Sequence, residues 1–373
     1  MKWSWKLGEF AGIGVYIHAT FLLLIGWIVL VHWMQGHSII TTLAGILFIL
    51  ALFGCVLLHE FGHALTAKKY GIKTRDITLL PIGGVARLER MPDDPKQELW
   101  VALAGPAVNI VIAAIIFTWL KLTEGLGTPN YASIVRGSFL ERLMMVNILL
   151  VLFNMIPAFP MDGGRVLRAF LAMRMEYTRA TQIAATLGQG IALLFGFIGL
   201  FTNPFLLFIA LFVWIGAAHE SSIVQIKSAL GGIPLSRAML TDFKTLSPDD
   251  TLNRAVELIL SGSQQDFPVV ENGRVVGVLT RSDLLIALAK KGLNSTVGEV
   301  MRKNFQVVEP SEMLETALMR LQSSDCHTLP VVNSNGYLVG LLTLDNIGEF
   351  LMIQTALGTS RENNYTKERR NYL

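Results

Sequence analysis

The chain has 373 residues, of which 52% are hydrophobic and only 16% charged, with a mean hydropathy of +0.50. Soluble domains carry about 25% charged residues, so a wholly soluble protein is excluded and much of the chain belongs in lipid. A formal net charge of +3 gives no support to a nucleic-acid partner, and the two cysteines, Cys55 and Cys326, supply neither a disulfide framework nor a Cys-based metal motif.

The N-terminus, MKWSWKLGEFAGIGVYIHATFLLL, lacks a short apolar core followed by a small-residue cleavage site. It reads as a retained segment rather than a signal peptide. Apolar runs of about 20 residues cross a bilayer as helices, and six candidates follow. The first lies near 19–31, extending towards Gly36, and the second spans about 42–68. The third covers about 99–120 and the fourth about 140–159. The fifth and sixth, about 180–201 and 204–218, are split by the turn signal TNP. GEFAGIGVYIHA before the first run, and DITLLPIGGVARLER between the second and third, predict short strands. A strand edge cannot face lipid, so these segments sit at the interface or line a polar cavity.

Basic residues set the orientation. Lys68, Lys69, Lys73, Arg75, Arg87, Arg90 and Lys96 follow the second run, and Arg165, Arg168, Arg174 and Arg179 follow the fourth. The loops after the first and fifth runs have no Lys or Arg, and the loop after the third balances Lys121, Arg136 and Arg142 against Glu124 and Glu141. The bias puts the N-terminus, the loops after runs two and four, and the C-terminal half in the cytoplasm.

The second run carries LLHEFGHALTAKK, with two histidines and a glutamate in apolar surroundings. Ionisable residues in such a stretch are expensive. HEFGH is H-E-x-x-H: on a helix, positions i and i+4 share a face, so His59 and His63 can bind one zinc ion. Glu60 lies beside that face, placed to take a proton from water at the ion, whose pKa zinc lowers to about 7. A catalytic zinc site needs a third protein ligand. The candidate is Asp162 in FNMIPAFPMDGGRVLRAF, at the end of run four, where Pro157 and Pro160 interrupt the helix and turn the carboxylate inward. The other reading of Asp162 is a cap on the following Arg-rich helix.

From about Gly231 the composition shifts to a soluble αβ pattern with an internal repeat. TLSPDDTLNRAVELIL…DFPVVENGRVVGVLTRSDLLIAL is followed by VVEPSEMLETALMRLQ…HTLPVVNSNGYLVGLLTLDNIGEFL. Each copy holds an amphipathic helix, a Pro-Val-Val strand, an Asn-Gly hairpin turn, a Val/Leu strand and a closing helix. Two stacked αβ modules are expected. The tail from Ser360, rich in Arg, Asn and Glu, is expected to be mobile.

HEFGH, AGPAVN (104–109) and NMIPAFPMDGGR (154–165) resemble the site-2 protease family of intramembrane zinc metalloproteases. The repeat resembles a pair of cystathionine-β-synthase (CBS) modules, and the overall order resembles the bacterial and archaeal branch with six helices and a C-terminal CBS pair. The resemblance implies one zinc ion per chain, held by His59, His63 and Asp162, with Glu60 as general base. Asn154 and Pro160 match the family's N-x-x-P-x-x-P-x-D-G pattern, which implies that Asn154 holds substrate backbone or the developing oxyanion. An interhelical hydrogen bond is the other reading of Asn154. Asn109 matches a further family position, and packing is the expected role. His18 matches another; a zinc role would exceed the ligand count, so it is expected to line the cavity or sit at the interface. By the same analogy the PIGG strand pair helps present an unwound substrate.

CBS pairs commonly bind adenine nucleotides. Thr280 and Asp283 in GVLTRSD fit the T-x-x-D whose hydroxyl and carboxylate contact phosphate and ribose. In GLLTLDN, Thr343 is retained but Asn346 stands where the acid is usual, which weakens the second site. A dimerisation or docking surface is the alternative role, leaving a homodimer through the CBS pair open.

The expected fold is a polytopic α-helical membrane domain of about six transmembrane helices with short interfacial β segments, plus a cytosolic α+β CBS-pair domain. Residues 1–222 form the metalloprotease domain, 223–234 a linker, 235–295 and 296–355 the CBS modules, and 356–373 a polar tail. The expected function is zinc-dependent cleavage of a membrane-spanning protein near the cytoplasmic face, under control of an adenine nucleotide. A CBS-regulated transporter or channel also explains six runs and a CBS pair, with the His/Glu cluster as an ion relay. It leaves the spacing of the two metal motifs unexplained. A catalytically silent membrane chaperone is disfavoured by Glu60.

Overall fold

The computed structural model of the chain describes residues 3–356 apart from 82, 90, 93, 124–136, 325 and 355. The tail expected from Ser360, most of the loop after the third run, and Ile82 of PIGG therefore lie outside the described residues. Two units separate, Met1–Val224 and Gln225–Leu373.

The first unit contains β1 (Ser4–Phe10), β2 (Ile13–His18), α1 (Thr20–Met34), α2 (Ile39–Lys69), β3 (Thr74–Leu80), β4 (Gly83–Leu88), α3 (Pro95–Thr123), α4 (Phe139–Asn154), α5 (Asp162–Ala172) and α6 (Tyr177–Phe201). Helix α7 (Phe205–Leu230) begins in it, and its last residues group with the second unit. Among the described residues, α2, α3, α6 and α7 are long and apolar enough to cross a membrane. Leu23, Trp27, Leu47, Leu193 and Phe197 stand exposed on their helices, as side chains facing lipid do.

Run one gives a helix of the expected extent and run four a shorter one. Helix α1 has 15 residues and α4 has 16, about 22 and 24 Å at 1.5 Å per residue, against a hydrocarbon core of about 30 Å. Run four was expected to continue to 159, but α4 stops at Asn154. Pro157 and Pro160 lack amide hydrogens and push the residues before them out of the helical region, so 155–161 form turns. Asp162 therefore opens a separate helix, α5, instead of closing the fourth run. Its N-cap is Met161, with no side-chain cap, so the capping reading of Asp162 is set aside. Gly163 lets α5 start directly against this turn: a Cβ there would lie 2.3 Å from the Ile156 carbonyl oxygen.

The two strand-like segments join in one sheet of order β1-β2-β3-β4. β1 and β2 form an antiparallel hairpin, turned at Ala11 and Gly12 with φ of 54° and 80°. β2 runs parallel to β3, from Gly14 opposite Asp76 to Ile17 opposite Leu79. Parallel neighbours need a long crossover, which α1 and α2 provide. β4 pairs antiparallel with β3 and is an edge strand. Ile13, Ala64 and Ile77 seal the sheet onto α2.

Arg168 was counted among the cytoplasmic loop charges, yet it is 0% exposed. Its Nε donates to Glu98 Oε1 of α3 at 2.8 Å, and its Nη1 donates to Glu220 Oε1 of α7 at 2.6 Å. The guanidinium lies 5.0 Å from the ring centroids of Phe159 and Tyr177. A planar, always-charged fork suits a buried two-carboxylate site.

The second unit repeats one order of elements. Helix α8 (Leu252–Ser261), β5 (Phe267–Glu271), β6 (Arg274–Leu279) and α9 (Arg281–Lys291) form the first copy. Helix α10 (Leu314–Ser323), β7 (Thr328–Val332), β8 (Leu338–Thr343) and a helix over 344–354 form the second. Leu246 bridges parallel to Val269, and Val308 to Val331, at matching places in the copies. The hairpin turn at Asn272-Gly273 has φ of 51° and 78°, the positive angles an Asn-Gly hairpin favours. The copies touch through Thr328 Oγ1, which donates to Asp266 Oδ2 at 2.9 Å. Cys55 and Cys326 are both free.

Breaking a buried ion pair from one side strands the other charge, at about 3–5 kcal/mol. Arg168→Met leaves Glu98, itself 1% exposed, without its cation. Its unfolding free energy in a detergent–SDS titration should fall by that amount. A loss under about 1 kcal/mol would show that the cluster does not hold α3, α5 and α7 together.

Candidate active site

His59 and His63 lie one turn apart near the end of α2, and both are buried. The loop after α4 delivers Asp162 to the same place. His59 Nε2 and His63 Nε2 are 3.1 Å apart, and each is 3.2 Å from Asp162 Oδ2. These three side chains form the metal-ligand group found among the described residues.

The chemistry of the donor set favours a cation. His63 Nδ1 donates to the Val101 carbonyl at 2.7 Å, which orients the ring and turns its Nε2 lone pair towards Asp162. Two imidazole nitrogens and a carboxylate oxygen then converge in a buried site. Four ligands placed tetrahedrally about 2.0–2.1 Å from a zinc ion lie about 3.3–3.4 Å apart, close to the spacings here. Two nitrogens and a carboxylate oxygen suit zinc. The residues present therefore fit the ion.

Helix α3 closes one side. A Cβ at Gly105 would lie 2.2 Å from His63 Nε2 and 2.6 Å from His59 Nε2, so the histidines rest against bare backbone. Glu60 sits beside them, and its Oε2 accepts the Ala86 N–H of β4 at 3.2 Å. A cavity of about 550 Å³ joins these groups; Gly84 and Ala86 of β4, Asn109 of α3, Asn154 at the end of α4, Pro160 and Arg165 are among its lining residues.

Several residues fall elsewhere. His18 Nδ1 accepts the Thr20 N–H at 3.3 Å and bonds the Thr20 hydroxyl at 2.8 Å, at the start of α1. It is absent from the cavity lining. Asn109 is 0% exposed, and both its amide atoms lack a hydrogen-bond partner among the described residues. Gly105 and the Ala86 N–H were not singled out from sequence. AGPAVN contains the glycine, but nothing in that string shows the histidines lying against it.

In the second unit, Thr280 Oγ1 donates to Asp283 Oδ2 at 2.5 Å, and Arg302 Nη2 donates to Asp283 Oδ1 at 3.1 Å. Burial pushes the Asp283 carboxyl up, but the hydrogen bonds from Arg302 and Thr280 outweigh it and hold it below the usual carboxylate range. Thr343 Oγ1 donates to Asn346 Oδ1 at 2.5 Å, so the second copy keeps the same turn without the charge. Asp345 is exposed. Arg302 escaped the sequence reading because the fold, not a motif, brings it to Asp283.

The peptidase family M50 profile matches residues 47–133 and 129–195, and the CBS domain profile matches 235–290 and 297–352. A zinc metalloprotease of Methanocaldococcus jannaschii is 34% identical over 326 residues, covering 87% of this chain and 90% of its own. Rip3 of Mycobacterium tuberculosis is 27% identical over 381 residues, covering 94% and 93%. A solved site-2 protease from Methanocaldococcus jannaschii is 38% identical and covers 59% of this chain and 95% of its own, with a TM-score of 0.44. The transporter or channel alternative has no such support. Identity at this level over most of both chains, with the two profile matches, makes this chain a member of peptidase family M50, the site-2 protease metalloendopeptidases, joined to a pair of CBS domains.

Proposed function

We propose that the chain cleaves membrane-spanning proteins near the cytoplasmic face, with one zinc ion held by His59, His63 and Asp162. The observation that carries this reading is the convergence of the three ligand atoms within 3.2 Å, beside Glu60, which accepts the Ala86 N–H of the edge strand β4. When bound, zinc supplies a Lewis acid for the scissile carbonyl and acidifies water.

The rest is the work of the chain's own residues. A helical substrate hides its peptide bonds in internal hydrogen bonds, so it must unwind first. β4 is paired on one side only, and its free edge offers replacement bonds that hold the segment extended. Glu60 takes a proton from the attacking water at its carboxylate and returns it to the leaving amine. The Asn154 amide, at the cavity wall, donates to the carbonyl oxygen as negative charge develops there. The excess of Lys and Arg after runs two and four supports a cytoplasmic placement of this end of α2, of the N-terminus and of the CBS pair.

We assign the protease domain to 1–222, a linker to 223–234 and the CBS modules to 235–295 and 296–355. The second role proposed is control by an adenine nucleotide at the CBS pair. Thr280 and Asp283 take phosphate and ribose in the first copy, and Thr343 acts in the second. The ionised, partly exposed Asp283 supports this. A homodimer through the CBS pair is compatible with the same residues.

Three measurements test these assignments. Metal analysis of purified protein should find one zinc per chain. Asp162→Ala should lose it on dialysis against a chelator, and Gly105→Ala should do the same because its methyl group would occupy the space of the imidazole nitrogens. Full occupancy in both would place the metal elsewhere. Glu60→Gln should keep its zinc while cleavage of a single-span substrate in detergent falls about 10²–10⁴-fold; near-normal cleavage would remove Glu60 from the mechanism. Calorimetric titration of the full chain with AMP, ADP and ATP should show binding that Asp283→Ala weakens about tenfold to hundredfold. Asn346→Ala should weaken it less. No binding of any of the three at millimolar concentration would favour a docking surface.

A further inference from the structure

Asn109 is a buried polar residue of the cavity lining that the reaction, as set out above, does not use. It lies on α3, four residues after Gly105, and so on the same helical face. Gly105 is where the two metal-facing imidazole nitrogens rest. A four-residue step is about 6 Å along a helix, close to the two-residue repeat of an extended chain, about 6.6–6.8 Å. Asn109 is among the residues that line the same cavity as His59, His63 and Asp162.

Its Oδ1 and Nδ2 are both buried without a hydrogen-bond partner among the described residues. Such groups are rare, and each needs an explanation. Asn147 of α4 is equally buried and its Oδ1 is likewise unpartnered, but its Nδ2 donates to the Leu143 carbonyl at 2.8 Å and to Cys55 Sγ at 3.4 Å, which ties the amide to the packing around it. Asn109 has no such anchor. Its amide carries one acceptor and two donors, the complement of a peptide group.

A substrate strand added to β4 uses one of its edges. The peptide groups of its other edge point away from β4, into the cavity. Left unpaired there, they make unwinding unfavourable. We propose that Asn109 is a substrate-binding residue whose carboxamide pairs with a peptide group on that second edge, about two residues from the scissile bond. The amide is left unsatisfied in the free protein and is satisfied by the unwound chain. The inference rests on the strand-pairing reading of substrate binding above.

The test uses Asn109→Ala and Asn109→Leu in the full chain. One replacement is smaller than the amide, the other is similar in size, and neither can pair with a peptide. The probe is a single-span helix, cleaved by the wild-type protein, with an Asn-Pro pair weakening its cytoplasmic half. Both variants should keep their zinc and lose about tenfold in kcat/KM, the worth of about one net hydrogen bond. The thermal midpoint of Asn109→Leu should equal or exceed the wild-type value, because an unpartnered buried amide is replaced by an apolar group. In a Glu60→Gln background, which binds without cutting, each substitution should weaken co-purification of the probe by a similar factor. Wild-type kinetics in Asn109→Ala would overturn the proposal, as would a loss confined to Asn109→Leu, which is steric. A drop in thermal midpoint or zinc content parallel to the activity would return Asn109 to a packing role. If Glu60→Gln alone fails to capture the probe, the strand-pairing reading falls and the proposal falls with it. Equal capture with and without the Asn109 change sinks the proposal alone.

Discussion

One carboxylate brought against two imidazoles inside a membrane-embedded bundle is the constraint on which the first unit is built. Two imidazole nitrogens and a carboxylate oxygen 3.1–3.2 Å apart are costly to desolvate together. They hold together because α2, α3 and α5 leave them nowhere to go. The turn at 155–161 aims Asp162, bare backbone at Gly105 makes room, and the Val101 carbonyl fixes the His63 ring. Arg168 then ties α5 to α3 and α7 through two carboxylates. The buried ion cluster acts on the site only through the helix it anchors.

The sheet answers a different need. Irregular or strand backbone at membrane depth is tolerated where it lines a cavity, and β4 does so. Glu60 accepts an N–H of β4, so the proposed base and the strand edge are held in register with one another. Preorganisation of this kind removes the reorganisation that water would otherwise require.

How far the sequence could be read depended on the range of each interaction. The His59–His63 pair follows from the helical period alone and was legible at once. The meeting of Asp162 with the two histidines was legible because two prolines and two glycines mark a break, yet its helix was misassigned. Hydropathy continues unbroken through Ile156 and Phe159 and does not register missing amide hydrogens. The pairing of β2 with β3 and the Arg168–Glu98–Glu220 cluster join residues far apart in the chain, and no local pattern announces them. Arg168 even contributed to the charge bias that sets orientation while lying fully buried. In the second unit the internal repeat exposed both T-x-x-D/N turns, whereas Arg302 reaches Asp283 only through the fold.

The parallel pairing of β2 with β3 has a mechanical consequence. The hairpin over residues 4–18 is stitched, through β2, to β3, which among the described residues is the strand partner of β4. A truncation or a bulky fusion at the N-terminus would therefore loosen the sheet from its far side, and the slack would arrive at the cavity wall as a change of twist. The amino-terminal hairpin is in this sense the outer stay of the substrate platform, although none of its residues lines the cavity.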